Sequence, residues 1–259
     1  MRVAIITGGA AGMGFAVAQE LVKNDWRVAL FDVNDETGAR AVASLGEGRS
    51  QFHRVDVTDY EQQQLAFEEI HSKYGGIDFV YANAGIAGKA DFYDEPKQWP
   101  PSAPSMLVGD INFKGATYTS HLAMQYMRRN PQPGGVITLT ASASSLYAAP
   151  DLPLYCASKH GVLGLMRSMA ISLKKENIRV NCVLPGAIHT TLYKEDTWSQ
   201  FDTKDFTPVS QVVKAVMTIL EDGSAAGQAL EVSAENIVNR PQPEYIDETM
   251  KRIMEGATY

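Results

Sequence analysis

The sequence lacks most features of secreted, membrane-spanning and nucleic-acid-binding proteins. Only two of its 259 residues are cysteines, Cys156 and Cys182, and no signal-like segment precedes the first apolar run. We therefore expect two reduced thiols in a cytoplasmic protein. No apolar run approaches the ~20 residues that cross a bilayer. A net charge of −7 and a pI near 5.3 argue against nucleic acid or an anionic membrane as a partner.

Metal-ligand spacing, internal repeats and linkers are lacking as well. The five histidines share no ligand pattern, so no metal site is predicted. With 45% hydrophobic and 20% charged residues, the composition is ordinary for a globular protein. The length suits one α/β domain over residues 1–259.

What the sequence does contain is a regular alternation of strand and helix patterns. Apolar runs rich in β-branched residues predict strands at Val3–Thr7, Arg27–Asp32, Gln51–Asp56, Phe79–Asn83, Val136–Thr140, Arg179–Leu184 and Ala229–Val232. Helical patterns lie between them, near residues 13–24, 35–45, 60–74, 106–129, 154–176 and 208–221. Because parallel neighbours need crossover helices, this alternation predicts a doubly wound parallel sheet of about seven strands with helices on both faces.

A glycine-rich turn joins the first predicted strand to the first helix. In the stretch 7–14, Gly8 permits a tight turn, Gly12 lets the backbone approach a pyrophosphate, and Gly14 lets the helix pack closely on the strand. Asp32 ends the second strand about twenty residues later, where a carboxylate would bind the adenosine ribose hydroxyls. Asp35 follows it, and two carboxylates there would repel the 2′-phosphate of NADP. The sequence therefore predicts NAD as the cofactor.

A tyrosine and a lysine lie four residues apart at Tyr155 and Lys159. On a helix this spacing puts the phenol and the ammonium on one face. A phenol has an ordinary pKa of about 10, and a neighbouring ammonium lowers that pKa by stabilising the phenolate. The pair is then suited to exchange a proton with an alcohol or a ketone. The spacing is common by chance, so its meaning depends on the surrounding motifs.

Those motifs follow one another along nearly the whole chain. After the glycine turn come Asp56-Val57, Asn83-Ala84-Gly85, Asn112 in Asn-x-x-Gly, Ser142 thirteen residues before Tyr155, the Tyr155–Lys159 pair, and Pro185-Gly186. In this order they resemble the short-chain dehydrogenase/reductase family. The resemblance implies a Rossmann-type fold and nicotinamide-dependent hydride transfer with a catalytic tetrad of Asn112, Ser142, Tyr155 and Lys159. The implied cofactor-binding residues are Gly8, Gly12, Met13, Gly14, Asp32, Val33, Asp56, Val57, Asn83, Ala84, Gly85, Tyr155, Lys159, Pro185, Gly186, Ile188 and Thr190.

The resemblance also assigns roles and regions. Residues 1–150 form mainly the dinucleotide-binding half, 151–240 the catalytic helix and substrate loop, and 241–259 a tail. Tyr155 would take the alcohol proton, Ser142 would orient the same oxygen, and Lys159 would hold the nicotinamide ribose. Asn112 would anchor a water that links Lys159 to solvent. Ser144 and Ser145 compete with Ser142, which alone has the family's offset from Tyr155.

The substrate is predicted to be a secondary alcohol or ketone on a lipophilic molecule. The loop after Pro185-Gly186 contains five large apolar or aromatic side chains, which indicate a lid or simply core packing: Leu192, Tyr193, Trp198, Phe201 and Phe206. Ser144, Tyr147, Leu152 and Leu154 are candidates for the opposite wall. The Asp32 position and the tail resemble 15-hydroxyprostaglandin dehydrogenase-like members of the family.

Two other functions and one assembly are compatible with the sequence. A cofactor-sensing binding protein would have little need of Tyr155, and the non-redox relatives, epimerases and dehydratases, favour glycine where this chain has Ala11. Relatives commonly pair through the helices that span about 106–129 and 154–176 here. The tail, helical over Tyr245–Glu255, is expected to fold back over its own subunit or the active-site rim and to block a second pairing surface. A homodimer is therefore predicted.

Overall fold

Eight strands form one sheet in this computed structural model, which describes residues 1–46, 48–88, 91–189 and 202–256. The strands are β1 (Val3–Thr7), β2 (Arg27–Asp32), β3 (Ser50–Arg54), β4 (Phe79–Ala82), β5 (Gly135–Thr140), β6 (Ile178–Pro185), β7 (Ala229–Val232) and β8 (Ile237–Asn239). Their order across the sheet is β3-β2-β1-β4-β5-β6-β7-β8. Strands β1 to β7 are parallel, and β8 is antiparallel to β7.

Helices cover both faces of this sheet. The described helices are α1 (Gly12–Lys23), α2 (Asp35–Leu45), α3 (Tyr60–Tyr74), α4 (Leu107–Gly109), α5 (Ala116–Arg128), α6 (Pro153–Leu173), α7 (Val209–Glu221) and α8 (Glu248–Gly256). One buried apolar cluster joins the sheet to α3, α5 and α6, and a second joins its other face to α1, α2 and α7. The doubly wound Rossmann-type fold is confirmed. None of the helices in these ranges is long and apolar enough to span a membrane.

The number of strands differs from the prediction of about seven. Strand β8 has three residues, too few to show an alternating pattern, and it lies just before the predicted tail at 241–259. A tight turn brings it back against β7, with the Ser233 amide donating to the Asn236 carbonyl at 2.9 Å. Strand β8 thus covers the edge that β7 would otherwise expose, while the tail helix α8 has no buried residue.

The predicted long helix at 106–129 is interrupted. Residues Asp110–Gly115 form a π-helical segment between α4 and α5. Asn112 lies in this segment, and its side chain bonds to the backbone of a distant loop, a tertiary contact of the kind that accompanies local π-helical geometry. Such a contact cannot be seen in helical periodicity. The tail helix likewise begins at Glu248 rather than Tyr245.

Candidate active site

The glycine-rich turn between β1 and α1 is as compact as its sequence requires. Gly8 and Gly12 have φ angles of 61° and 54°, in the left-handed region that favours glycine. A Cβ atom added to Gly14 would lie 2.3 Å from the Gly8 carbonyl oxygen. The start of α1 therefore approaches the end of β1 as closely as the backbone allows, which leaves a cradle suited to a diphosphate.

Side chains at the ends of β1, β2 and β4 hold this turn in place. Asp32 accepts the Ala10 amide at 3.2 Å through Oδ2. Thr7 Oγ1 accepts the amides of Asn83 and Ala84 at 3.0 and 3.1 Å, and Asn83 Nδ2 donates to the Gly8 carbonyl oxygen at 3.2 Å. The turn is thus fixed from both neighbouring strands before any ligand binds.

Two adjoining hollows lie beyond the carboxyl ends of the strands. A cleft of about 420 Å³ is lined by Gly8, Ala11, Gly12, Met13, Asp32, Asn83, Ala84, Gly85, Ile86 and Ala87. A smaller cavity of about 70 Å³ is lined by Met13, Asn83, Gly85, Ile86, Thr140, Ala141, Ser142, Tyr155, Lys159, Pro185, Gly186 and Ile188. They share four lining residues, so the glycine turn and the Tyr155–Lys159 helix open onto one continuous site.

Lys159 lies at the floor of the smaller cavity. Its residue is 3% exposed, and Nζ donates to the Thr140 carbonyl oxygen at 2.8 Å. Burial lowers the pKa of Lys159 to about 8, because desolvation disfavours the charged form. Nζ lies 5.8 Å from the centre of the Tyr155 ring. The two side chains share one face of α6, as the four-residue spacing predicted.

The pKa of Tyr155 differs from the expectation based on the sequence. Burial is the largest effect and raises the pKa of this phenol, while its hydrogen bond with Ser142 acts in the opposite direction. The expected lowering by Lys159 does not dominate, since the Lys159 ammonium is turned to the Thr140 carbonyl. The phenol is therefore the stable form of Tyr155 near neutral pH.

Asn112 lies behind the cavity rather than in its lining. Its Oδ1 accepts the Ile86 amide at 2.8 Å, and its Nδ2 donates to the Ile86 carbonyl oxygen at 2.9 Å and to Ser158 Oγ at 3.2 Å. Ser158 in turn donates to the Tyr155 carbonyl oxygen at 2.7 Å. Asn112 thereby ties the loop after β4 to the first turn of α6.

The serine-dense loop after β5 places its members differently. Ser142 begins a 3₁₀ turn, Ala143–Ser145, and accepts the Ser144 amide at 3.1 Å. Ser145 is buried and donates to the Lys159 carbonyl oxygen at 2.7 Å. Ser142 is thus the serine of this loop that lines the cavity with Tyr155. Ser144 is half-buried beside it.

Several predicted site residues lie away from the two hollows. Asp56 is exposed and accepts the Thr58 amide at 2.8 Å, while Val57 packs against Gly115. Among the described residues, neither Asp56 nor Val57 lines the cleft or the cavity, and the exposed Val33 does not line them either. Thr190, Leu192, Tyr193, Trp198 and Phe201 lie outside the described residues. The predicted substrate residue Tyr147 is exposed, with its hydroxyl directed to Glu231 Oε2 at 3.4 Å.

Sequence reasoning missed four residues that build the site: Thr7, Ile86, Thr140 and Ser158. All four act through contacts far along the chain, and Ile86 and Thr140 contribute backbone atoms that any residue type supplies. Thr7 and Thr140 each end a parallel strand, a position that signals a site at the carboxyl edge of the sheet. Ser158 lies directly before Lys159 on the catalytic helix.

These elements define a Rossmann-type α/β protein in which a glycine-rich turn and a Tyr-x-x-x-Lys helix meet at one edge of the sheet. The sequence profile described as short chain dehydrogenase matches residues 2–201. The chain belongs to the short-chain dehydrogenase/reductase family, an oxidoreductase family that uses nicotinamide cofactors.

Individual relatives agree over most of the chain. The short-chain dehydrogenase/reductase prx6 of Penicillium rubens is 35% identical, with 93% of this chain and 87% of the relative covered. The 15-hydroxyprostaglandin dehydrogenase [NAD(+)] of Mus musculus is 31% identical, with 90% of each chain covered. The crystal structure of levodione reductase matches with a TM-score of 0.79 at 27% identity, covering 90% of this chain and 96% of that one.

Proposed function

We propose that this chain is an NAD-dependent oxidoreductase that interconverts a secondary alcohol and a ketone on a lipophilic small molecule. The observation that carries the proposal is that Ser142, Tyr155 and Lys159 line one cavity that is continuous with the cleft at the glycine turn. A proton-exchanging group thus adjoins a cradle of the shape that holds a dinucleotide diphosphate.

In the oxidative direction, Tyr155 as phenolate takes the hydroxyl proton of the alcohol, and Ser142 donates a hydrogen bond that orients the same oxygen. In reduction, the Tyr155 phenol returns that proton to the ketone oxygen. Lys159, when protonated, favours the phenolate and would hold the nicotinamide ribose. Asn112 and Ser158 keep the first turn of α6 against the loop after β4. The bound nicotinamide supplies the hydride acceptor or donor.

The choice of NAD rests on the charges around Asp32. Asp32 directs Oδ2 to the Ala10 amide inside the glycine turn, so its carboxylate is held at the cleft. The structure also places a cation here that the sequence argument overlooked, because Arg54 pairs with Asp32 in the register of β2 and β3. Its guanidinium is engaged by Asp35, with Nε 3.4 Å from Oδ2. Asp32 and Asp35 together carry two negative charges and Arg54 one positive charge. The net negative charge beside the cleft disfavours a 2′-phosphate. The mouse relative is a 15-hydroxyprostaglandin dehydrogenase [NAD(+)], which supports this choice.

The test combines binding and turnover. NADH and NADPH are titrated against the purified protein by fluorescence, and a panel of cyclohexanol, menthol and a long-chain secondary alcohol is assayed with NAD⁺. We expect tighter binding of NADH and turnover of at least one lipophilic alcohol. Binding without turnover of any alcohol or the matching ketones would favour the cofactor-sensing alternative. Conversion without a change in the redox state of the cofactor would favour the epimerase or dehydratase alternative.

We also propose that the protein is a homodimer built on α5 and α6. On α6, Gly164, Ser168 and Ile171 are exposed, whereas Gly161, predicted for the same face, is packed by Phe113 of its own chain. A twofold contact of small residues lets helices approach closely. Because β8 already covers β7, further pairing at that edge is disfavoured. Light scattering behind a sizing column tests this, and a stable mass near four times 28.3 kDa would contradict it.

A further inference from the structure

Arg240 and Glu231 form an ion pair at the β7–β8 edge of the sheet, next to Tyr147 in the loop that follows Ser142. Arg240, directly after β8, donates from Nε to Glu231 Oε2 on β7 at 2.5 Å. The same carboxylate oxygen accepts the Tyr147 hydroxyl at 3.4 Å. The side chain of Glu231 is only 16% exposed, so its charge depends on Arg240 for compensation.

The backbone of Arg240 is itself fixed. Its amide donates to the Ala229 carbonyl oxygen at 2.8 Å, and its carbonyl oxygen accepts Nη2 of Arg167 on α6 at 3.4 Å. These bonds use main-chain atoms, so they would persist when the Arg240 side chain is changed. The Arg240 side chain is linked to Tyr147 through Glu231, whose carboxylate accepts from both.

Tyr147 belongs to the segment that joins the two candidate catalytic residues Ser142 and Tyr155. Its amide donates to the Ala143 carbonyl oxygen at 3.0 Å. Its carbonyl oxygen accepts the Cys156 thiol at 3.4 Å, and the Ser144 carbonyl oxygen accepts the same thiol at 3.2 Å. Glu231 at the sheet edge therefore holds the Tyr147 side chain, while Cys156 on α6 holds the Tyr147 backbone.

We infer that Arg240 is a positioning residue that acts through Glu231 on Tyr147 and thereby fixes the loop between Ser142 and Tyr155 on the substrate side. Removing the guanidinium leaves a largely buried carboxylate without its cation, and Glu231 then turns toward water and releases the Tyr147 hydroxyl. The consequence for substrate binding rests on the proposed function. The consequence for the loop is independent of the proposed function.

The loop can be followed without any substrate, because the two cysteines report on different parts of the molecule. Cys156 is half-buried with its thiol bonded to the loop, whereas Cys182 lies in the buried core. The rate of alkylation of each thiol by iodoacetamide is measured by mass spectrometry in Arg240→Met, Arg240→Lys, Tyr147→Phe and the Arg240→Met/Tyr147→Phe double variant. Arg252→Met is the matched control, since Arg252 bonds to Thr249 within the tail helix.

We expect Arg240→Met and Tyr147→Phe each to speed alkylation of Cys156 severalfold, with no further gain in the double variant. Arg240→Lys should restore most of the protection, and Arg252→Met should match the unmodified protein. An unchanged rate in Arg240→Met, or effects that multiply in the double variant, would overturn the inference. Faster alkylation of Cys182 in Arg240→Met would also overturn it, because it would mean that the whole fold had loosened.

Kinetics link the loop to the site. With an alcohol that the unmodified protein oxidises, Arg240→Met should raise KM severalfold, change kcat little and leave NADH binding unaltered. An equal rise of KM in the Tyr147→Phe background would contradict the proposed route. If no alcohol in the panel is turned over, the proposed function fails while the alkylation result still decides the role of Arg240.

Discussion

The ammonium of Lys159 donates a 2.8 Å hydrogen bond to the carbonyl oxygen of Thr140 at the end of β5. This bond holds a nearly fully buried lysine beneath the cavity that Tyr155 also lines. Burial costs folding free energy as long as the lysine is charged, and the pKa of about 8 reflects that cost. The arrangement favours a site prepared for function at the expense of stability.

Replacing this lysine should therefore stabilise the ligand-free protein. Lowering of the Lys159 pKa from 10.5 to about 8 corresponds to roughly 3 kcal/mol at about 1.4 kcal/mol per pKa unit, less about 1 kcal/mol for the hydrogen bond lost to Thr140. Lys159→Met should raise the melting temperature at neutral pH by a few degrees, at roughly 2–4 °C per kcal/mol. It should also abolish turnover and weaken NADH binding.

The pH dependence of the difference in melting temperature between the unmodified protein and Lys159→Met supplies a control. Because the folded-state pKa is below the unfolded one, the penalty is complete below about pH 8 and disappears as the pH rises from 8 toward 10.5. The melting temperatures of the unmodified protein and of Lys159→Met should converge over this interval. A difference that stays constant with pH would show that buried charge is not its cause.

Alcohol oxidation should accelerate with rising pH. Burial raises the pKa of Tyr155, and oxidation needs the phenolate whereas ketone reduction needs the phenol. The rate of oxidation under saturating NAD⁺ should therefore increase from neutral toward alkaline pH, whereas the rate of reduction should stay level until the pH approaches the raised Tyr155 pKa and decrease above it. Parallel pH profiles for the two directions would argue against Tyr155 as the group that exchanges the proton.

The glycine turn should not tolerate a side chain at Gly14. A Cβ atom there would lie 2.3 Å from the Gly8 carbonyl oxygen and 2.7 Å from Asn83 Nδ2. Gly14→Ala should weaken NADH binding by an order of magnitude or more and lower the melting temperature. Gly223→Ala, in the turn after α7, is the matched control, since nothing lies within 4 Å of its added Cβ, and it should bind NADH normally. Normal NADH binding by Gly14→Ala would contradict a close diphosphate cradle.

Cofactor preference should respond to charge at the end of β2. Asp32→Ala together with Val33→Arg should shift preference from NADH toward NADPH, because a repulsive carboxylate is removed and a phosphate partner is added. Asp32 also accepts the Ala10 amide, so some affinity for both cofactors should be lost. Val33→Arg alone separates the two effects. The charge argument fails if the unmodified protein already prefers NADPH.

Local patterns predicted most of the framework. Strands β1, β2 and β7 begin and end at the predicted residues, since apolar runs between turns define them in the sequence alone. Strand β8 and the π-helical segment were missed because both depend on partners elsewhere in the fold: β7 for the first, and the Ile86 backbone for the second. Contacts between residues distant in sequence leave no pattern in the local sequence.

The site was predictable to the extent that its residues lie at strand ends or on one helix face. Tyr155 and Lys159 meet because of their spacing, and Asp32 and Asn83 meet the glycine turn because parallel strands end at one edge. Burial was not predictable in this way. The direction of the Tyr155 pKa and the pairing of Arg240 with Glu231 follow from packing among residues distant in sequence.

The measurement that tests the central claim most directly is NADH binding and alcohol turnover in Tyr155→Phe. This variant removes the hydroxyl that exchanges the proton and leaves the ring, Lys159 and the glycine turn in place. The account predicts NADH affinity within a few-fold of the unmodified protein and no measurable alcohol oxidation or ketone reduction. Substantial turnover in Tyr155→Phe would contradict the assignment of Tyr155 as the acid and base of the reaction.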